Sequence, residues 1–176
     1  MGCKLSEIKE AIDAVNEKFR SQIGVCFDTA HGFGAGEYDL GRVSEVKRFF
    51  EEFDTIIGRE FLSCFHLNDS RVEFGCYGDR HEMLGEGYQF RTDALEGVEH
   101  KFDAPEGDPS EDEKSKLPKV NGLKGLKILV ASAGMRGVPL IGEQPKLDVA
   151  GNVLWSPWIT DYNILNNMLN IFEVKD

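Results

Sequence analysis

The sequence predicts an α/β domain built on a parallel sheet. Apolar runs alternate with helical patterns along the chain, in the order helix, strand, helix, strand, helix, strand, helix. Each predicted strand ends near a residue type that can bind a metal ion, namely Asp28, His66 and Glu143. Because the carboxyl ends of parallel strands meet at one edge of the sheet, we expect a single site there.

A helical periodicity opens the chain. Apolar residues recur at intervals of three or four over residues 5–19, which predicts an amphipathic helix with Ser6 as its N-cap. Its buried stripe is expected to consist of Ile8, Ile12, Val15 and Phe19. The continuous apolar run 23–28 is typical of a strand buried on both faces of a parallel sheet. The glycine-bearing segment 29–36 then predicts a loop whose backbone lies close to a ligand.

The second helix is expected to begin at Ser44 and to end at Gly58. Its inner side would carry Val46, Phe49, Phe50, Phe53, Ile56 and Ile57. The apolar run 61–67 predicts the second strand, and a polar, glycine-bearing segment follows it up to residue 87. A shorter helix is expected over about 88–98.

Residues 99–122 carry prolines, glycines and acids with little apolar content, which indicates a surface insertion. A third helix is expected from Leu123 to Gly134, and a third strand over 138–143. The last helix should begin with Ser156 as N-cap and Pro157 as its first residue. Its inward side chains would be Ile159, Tyr162, Leu165, Leu169 and Phe172.

Charge is unevenly distributed along the chain. The formal net charge is −11, and residues 93–116 contribute over half of it with nine acidic and three basic residues. This balance argues against a generic nucleic-acid coat, which would be basic. Bound divalent ions would offset part of the remaining charge, so charge alone does not decide the function.

The cysteines favour a reducing compartment. Cys26 and Cys64 lie inside apolar runs and no C-x-x-C pair occurs, so both are interpreted as small buried side chains. No apolar run approaches the ~20 residues needed to cross a membrane, so we expect no membrane partner. The expected location is intracellular, in the cytoplasm or nucleus.

The polar segment 66–87 is the strongest candidate for a functional site. It carries His66, Asp79 and His81, and a third histidine, His31, follows the first predicted strand. Asp79 and His81 are two residues apart, so in an extended segment both side chains point the same way. Imidazole and carboxylate together are a ligand set that suits Zn²⁺.

Four stretches resemble the endonuclease IV family of zinc-dependent apurinic/apyrimidinic endonucleases. GVCFDTAHGFGAGEYDL at 24–40, FHLNDSR at 65–71 and GDRHEMLGEG at 78–87 are similar to its signature motifs. PLIGEQP at 139–145 resembles the strand that carries the family's last metal-binding glutamate. The resemblance implies a (β/α)₈ TIM barrel that holds three zinc ions and cuts DNA on the 5′ side of abasic sites by metal-assisted phosphodiester hydrolysis.

The same resemblance implies roles for individual residues. Its metal-ligand positions fall on Asp28, His31, His66, Asp79, His81 and Glu143. By this resemblance His31, Asp79 and His81 would hold one zinc completely, and Asp28, His66 and Glu143 would contribute to a second. Glu143 is also the residue to which a catalytic role is assigned. Arg71 and Arg80 flank the segment and would contact DNA, although pairing with local acids explains them equally well.

The resemblance covers only the last part of such a barrel. About three βα units are recognisable, as one partial domain over 1–176 with the acidic insertion at about 99–122. The remaining family ligands would lie upstream, which predicts a fragment or split subunit that acts on double-stranded DNA with a chain supplying the N-terminal half. The alternatives are an inactive zinc-binding remnant or accessory module, and a barrel sugar isomerase or epimerase.

Overall fold

The computed structural model describes residues 4–91, 94–95, 119–120, 122–143 and 156–169. The helices within these ranges are α1 (Leu5–Ala14), α2 (Glu17–Arg20), α3 (Thr29–Gly34), α4 (Val43–Ile56), α5 (Gly122–Arg136) and α6 (Ser156–Leu169), with a 3₁₀ turn at Arg59–Phe61. The strands are β1 (Val25–Asp28), β2 (Leu62–His66), β3 (Asp69–Ser70), β4 (His81–Glu82), β5 (Ala94–Leu95), β6 (Lys119–Val120) and β7 (Leu140–Ile141).

Three of the strands form the predicted parallel sheet, in the order β1–β2–β7. Asp28 is paired with His66 across β1 and β2, and His66 is paired with Ile141 across β2 and β7. The three carboxyl ends therefore lie side by side, and Glu143 follows two residues after Ile141. This register brings the predicted site residues to one edge of the sheet.

The core lies on one face of this sheet. Phe27 of β1 and Phe65 of β2 pack against Phe49 of α4, with ring centroids 4.4 and 5.7 Å from that of Phe49. Burying aromatic rings removes much apolar surface from water, and tilted or edge-to-face contacts add to it. Helix α5 contributes Leu126 and Leu129 to the same core, and both are fully buried. The sheet is thus anchored by two helices on this face.

The opposite face of the sheet is open over the residues that the structure describes. Cys26 is exposed, Cys64 is half-buried and Ile141 is exposed, because successive side chains of a strand point to opposite faces. The prediction that the strand over residues 23–28 is buried on both faces is therefore wrong within the described ranges. The prediction that Cys26 is a buried thiol is wrong for the same reason.

The first predicted helix is in fact two helices. Residue Val15 is extended, and the Asn16 side chain accepts a hydrogen bond from the backbone amide of Lys18, which starts α2. This local cap competes with continuation of α1. As a result Phe19 is exposed rather than buried. The N-cap of α1 is Lys4 and not Ser6.

The segment after β1 is helical, contrary to the predicted loop. Asp28 Oδ1 accepts a hydrogen bond from the backbone amide of His31 at 3.0 Å, and this cap starts α3. The next helix, α4, begins one residue before Ser44, with Arg42 as its N-cap. Its predicted end is confirmed, because Gly58 adopts a φ of 115° that favours glycine. Ile56 lies at the edge of the inner face and is partly exposed.

The helix predicted over 88–98 is wrong in the part that is described. Residues 88–91 are not helical, and β5 forms an antiparallel pair with β6, with Ala94 opposite Val120 and Leu95 opposite Lys119. The rest of that prediction, and the insertion before residue 119, lie outside the described residues. A second antiparallel pair, β3 with β4, sits directly after β2.

The carboxyl-terminal helices follow the prediction with shifted faces. Helix α5 runs past Gly134 and ends before Gly137, whose φ is 69°. Helix α6 begins at Ser156, one residue before the predicted first helical residue Pro157, and Leu165 packs against the core. Ile159 and Tyr162, predicted to face inward, are 57% and 66% exposed. Leu169 and Phe172 lie outside the residues whose side chains are described. None of the described helices is long and apolar enough to cross a membrane.

Candidate metal centre

The first cluster of polar side chains lies at the three strand ends. His66 Nδ1 is 2.8 Å from Glu143 Oε2 and 3.7 Å from Asp28 Oδ2. Asp28 is held in place by its second oxygen, which caps α3. One imidazole nitrogen and two carboxylate oxygens from three different strands therefore face one point.

A second cluster lies beside the first and shares Asp28. Asp28 Oδ2 is 4.0 Å from His31 Nδ1 and 3.8 Å from His81 Nε2. His31 belongs to α3, one turn after the strand end, and His81 belongs to β4. The structure thus brings all three predicted histidines around the Asp28 carboxylate.

Asp79 lies at the outer rim of the second cluster. Its Oδ1 is 3.0 Å from His31 Nε2 and 3.7 Å from His81 Nε2. The side chain is 71% exposed, and the hydrogen bond with His31 holds the pKa of its carboxyl below the ordinary value. The hydrogen bond with His31 therefore favours the charged form of the Asp79 carboxyl.

The donor set fits a divalent metal ion. In each of two groups, Asp28–His31–His81 and Asp28–His66–Glu143, the ligand atoms lie within 4.8 Å of one another. His81 Nε2 is also buried without a hydrogen-bond partner in the described part of the chain. A buried nitrogen without a partner is costly unless something else satisfies it. Imidazole nitrogens with carboxylate oxygens are the ligands that zinc takes in proteins.

The loop before Asp79 is pinned to α3 by backbone hydrogen bonds. Gly75 donates to the Phe33 carbonyl at 3.1 Å, and Tyr77 donates to the Gly34 carbonyl at 2.8 Å. A Cβ atom on Gly34 would lie 2.8 Å from the Gly78 carbonyl oxygen, so glycine is required for this approach. The close contact places Asp79 beside His31. The glycines after β1 thus make room for this loop.

Asp69 is one of the polar residues of the candidate segment 66–87, but the sequence did not indicate its structural role. It is fully buried at the start of β3, and its two oxygens accept five backbone hydrogen bonds of 2.8–3.2 Å. Burial raises the pKa of Asp69 to about 6, although these hydrogen bonds oppose the effect. The donors are the amides of Ser70, Gly85, Gly87, Gln89 and Phe90. Asp69 thereby ties residues 85–90 back to β3 and fixes the loop that contains His81.

Asn68 is a second missed residue. It is fully buried between β2 and β3, and its side chain contacts Asp28 and Glu143. The only sequence signal was its place two residues after His66, inside a polar segment that follows an apolar run. Its partners are distant in sequence, so no local pattern could reveal them.

The two predicted DNA-contacting arginines lie at the surface of the hairpin. Arg71 Nε donates to Glu82 Oε2 at 2.9 Å, and an Arg80 guanidinium nitrogen donates to the Asp79 carbonyl oxygen at 2.6 Å. Both side chains are exposed. Arg71 therefore pairs with a local acid, as the alternative to DNA contact predicts. Both arginines lie within the loop that bears Asp79 and His81.

Comparison with known proteins relates this chain to a TIM-barrel family and to proteins named as endonucleases. The model of a family described as xylose isomerase-like TIM barrel matches residues 1–100. The chain is 44% identical over 88 residues to Apurinic-apyrimidinic endonuclease 1 of Saccharomyces cerevisiae, covering 50% of this chain and 23% of that protein. It is 42% identical over 88 residues to Probable endonuclease 4 of Campylobacter curvus, covering 50% of this chain and 30% of that protein.

A solved structure shares the fold. Endonuclease IV from Thermus thermophilus superposes with a TM-score of 0.61 and 18% identity, covering 97% of this chain and 45% of that one. At this identity the likeness shows the fold. The chain therefore has the architecture of part of a TIM barrel, and it spans less than half the length of each of these relatives.

Proposed function

The chain belongs to the xylose isomerase-like TIM-barrel family, and its relatives there are endonucleases; we propose on this basis that it forms part of a zinc-dependent endonuclease that cleaves DNA at abasic sites. The observation that carries the proposal is the meeting of two candidate metal groups around Asp28 at the carboxyl ends of three parallel strands. Active sites of TIM-barrel enzymes lie at this end of the sheet.

The proposed residues divide into two sets. His31, Asp79 and His81 would hold one zinc ion, with Asp28 Oδ2 close to both histidines. Asp28, His66 and Glu143 would hold part of a second site, and Glu143 would be catalytic through that site. Zinc at such sites activates water near neutral pH and neutralises charge on a phosphodiester. In the complete enzyme three ions are proposed, with the cut on the 5′ side of the abasic nucleotide.

Double-stranded DNA is the proposed substrate, even though the chain is acidic. The proposed ions would neutralise the carboxylates of the site, and Arg71 and Arg80 stand on the same hairpin as His81. Phosphate contacts from exposed arginines position a duplex without reading its sequence. The proposed location, an intracellular reducing compartment, agrees with a DNA-repair role.

A second hypothesis is a zinc-binding module that has no nuclease activity alone. It is favoured by the coverage, since the chain matches only 45% of the solved structure that shares its fold. In this case the His31–Asp79–His81 site would bind zinc, and a chain that supplies the other barrel half would be needed for cleavage.

Zinc stoichiometry separates these hypotheses. Native mass spectrometry of the purified chain should give about one zinc per monomer if only the His31–Asp79–His81 site is complete. A count near three would mean that further ligands are supplied, and cleavage of a duplex with one abasic site should then be measurable. A chain that binds no zinc would refute both hypotheses.

Two variants test the assignment of ligands. His81→Ala should remove the zinc held with His31 and Asp79, whereas Glu143→Gln should leave that zinc in place and damage the other site. Removing a residue that hydrogen-bonds to a metal ligand typically costs about 10–100-fold in metal affinity or activity. Removing a ligand itself should therefore cost more than about 100-fold. Equal loss of zinc from both variants would contradict the division into two sites.

A further inference from the structure

We propose that Asn68 is a positioning residue: its side-chain amide holds the carboxylates of Asp28 and Glu143 in the arrangement that binds a cation. The amide nitrogen Nδ2 donates to Asp28 Oδ2 at 3.0 Å and to Glu143 Oε2 at 3.2 Å. This inference rests on the proposed function, because orienting the two carboxylates matters only if they bind a cation.

The orientation of the amide is fixed by a third hydrogen bond. The backbone amide of Glu143 donates to Asn68 Oδ1 at 3.0 Å, so the oxygen must face that strand end and the nitrogen must face the carboxylates. Both protons of the NH₂ group then have carboxylate acceptors. A reversed amide would place its oxygen against two carboxylate oxygens, which is repulsive.

The backbone of Asn68 is fixed as well. Thr29 Oγ1 accepts a hydrogen bond from the Asn68 backbone amide at 2.9 Å and donates to the Asn68 carbonyl oxygen at 2.6 Å. Thr29 and Asn68 are both fully buried. Thr29, the first residue of α3, therefore fixes the Asn68 backbone, and the Glu143 amide fixes the Asn68 side chain, so that its NH₂ group faces both carboxylates.

A neutral donor suits this position better than a cation would. Two carboxylates that converge on one nitrogen repel each other, and hydrogen bonds to the charged form reduce that penalty. An arginine or lysine would also neutralise them and compete with a metal ion for the same oxygens. The Asn68 amide orients both groups and leaves their negative charge for a cation. Partners of this kind tune the affinity of a metal site.

The test is the affinity of the chain for Zn²⁺ in matched variants. Asn68→Ala removes the amide, and Gln89→Ala removes a different buried amide whose hydrogen bonds go to backbone groups. We expect Asn68→Ala to weaken Zn²⁺ binding to the chain by roughly 10–100-fold, because Asp28, which Asn68 orients, belongs to both candidate metal groups. Gln89→Ala should leave the affinity within about twofold. Competition with a chromophoric chelator measures both, and it does not depend on nuclease activity.

A second variant separates positioning from packing. Asn68→Leu keeps most of the side-chain volume and removes the donors, so it should show the same loss of affinity even if Asn68→Ala unfolds the chain. A thermal unfolding curve of each metal-free variant gives the stability independently.

Wild-type affinity in a folded Asn68→Leu or Asn68→Ala chain would overturn the inference and leave the proposed function intact. Absence of Zn²⁺ binding in the wild-type chain would overturn both, because no cation would then exist for Asn68 to serve.

Discussion

Asp69 shows how a single buried carboxylate can organise a site without touching it. Its oxygens accept five backbone amides from its own strand and from residues 85–90. Backbone amides buried without an acceptor would destabilise the loop. The carboxylate supplies the hydrogen-bond acceptors that a helix or a sheet would otherwise supply in this segment. His81 lies in the chain between Ser70 and residues 85–90, the two segments whose amides Asp69 accepts. Its position therefore depends on a residue that is not a candidate ligand.

We predict that Asp69→Asn lowers the free energy of unfolding by about 1–3 kcal/mol at pH 7, since an amide NH₂ group would face at least two backbone N–H groups. Chemical denaturation measures the change. Asp13→Asn is a suitable control, because Asp13 is an exposed acid whose side chain pairs with Lys9 on α1, and we expect no measurable change in stability there.

The same residue gives a pH dependence with a defined sign. Burial raises the pKa of Asp69 from 3.8 to about 6, so the folded chain binds this proton more tightly than the unfolded chain. The part of the stability that comes from this proton is therefore full below about pH 4 and is lost as the pH rises through about 6, while the backbone hydrogen bonds to the carboxylate remain. Between these values the stability difference between wild type and Asp69→Asn should change by about 2–3 kcal/mol. A difference that stays constant over this range would contradict the raised pKa.

The site residues illustrate what sequence patterns can reveal at this scale. Asp28, His66 and Glu143 were found because each follows an apolar run, and the register of a parallel sheet then brings them together. Asn68 and Asp69 were not found, because their acceptors and donors come from segments 16–75 residues away. Those contacts depend on the tertiary fold.

At the scale of elements, α5 approaches the loop after α3 more closely than side chains would permit. The backbone amide of Gly125 donates to the Gly41 carbonyl oxygen at 3.1 Å. A Cβ atom on Gly125 would lie 2.2 Å from the Leu40 carbonyl oxygen. The carbonyl oxygens of Leu40 and Gly41 that such a Cβ atom would meet are backbone atoms, so helix α5 itself would have to move.

We predict opposite effects for two glycines of this helix. Gly125→Ala should destabilise the fold by about 1–3 kcal/mol or more through overpacking. Gly134→Ala should stabilise it by about 0.5–1 kcal/mol, because alanine favours a helix and nothing lies within 4 Å of the added atom. Urea unfolding of both variants compares them directly. Similar changes in both would show that the close approach of α5 to residues 40–41 is absent in solution.

Element prediction succeeded where periodicity was long and failed where local chemistry intervened. The aromatic stripe of α4 and the boundary at Gly58 were predictable from spacing and from glycine. The split after Val15 and the short helix α3 were missed because side-chain caps at Asn16 and Asp28 decide them. The strand β5 was predicted as helix because its pairing partner, β6, is distant in sequence.

At the scale of the molecule, one face and both outer edges of the three-stranded sheet are open within the described residues. Cys26 and Ile141 are exposed on that face, and neither β1 nor β7 has a further described neighbour. Open edges and apolar surface favour association with another chain. The chain covers 45% of the solved structure that shares its fold.

We therefore predict that the isolated chain is marginally stable, oligomeric or partly molten until a partner covers the open face. Sedimentation velocity and hydrogen exchange of the strand amides measure this. Charged substitution at Ile141, such as Ile141→Lys, should reduce self-association without touching the core. A monomer with a sharp thermal transition and protected strand amides would refute the prediction.

The order of elements also has a consequence for how the chain assembles during synthesis. The strands β1 and β2 and the intervening α4 are contiguous over residues 25–66, and Phe27, Phe49 and Phe65 come together within that stretch. Contacts that are local in sequence form quickly, and domains tend to fold from the amino terminus as they emerge from the ribosome. Asp28 and His66 can thus be brought together before Glu143 has been translated. We therefore expect Glu143, which follows β7, to complete the centre on a surface that the earlier elements have already formed.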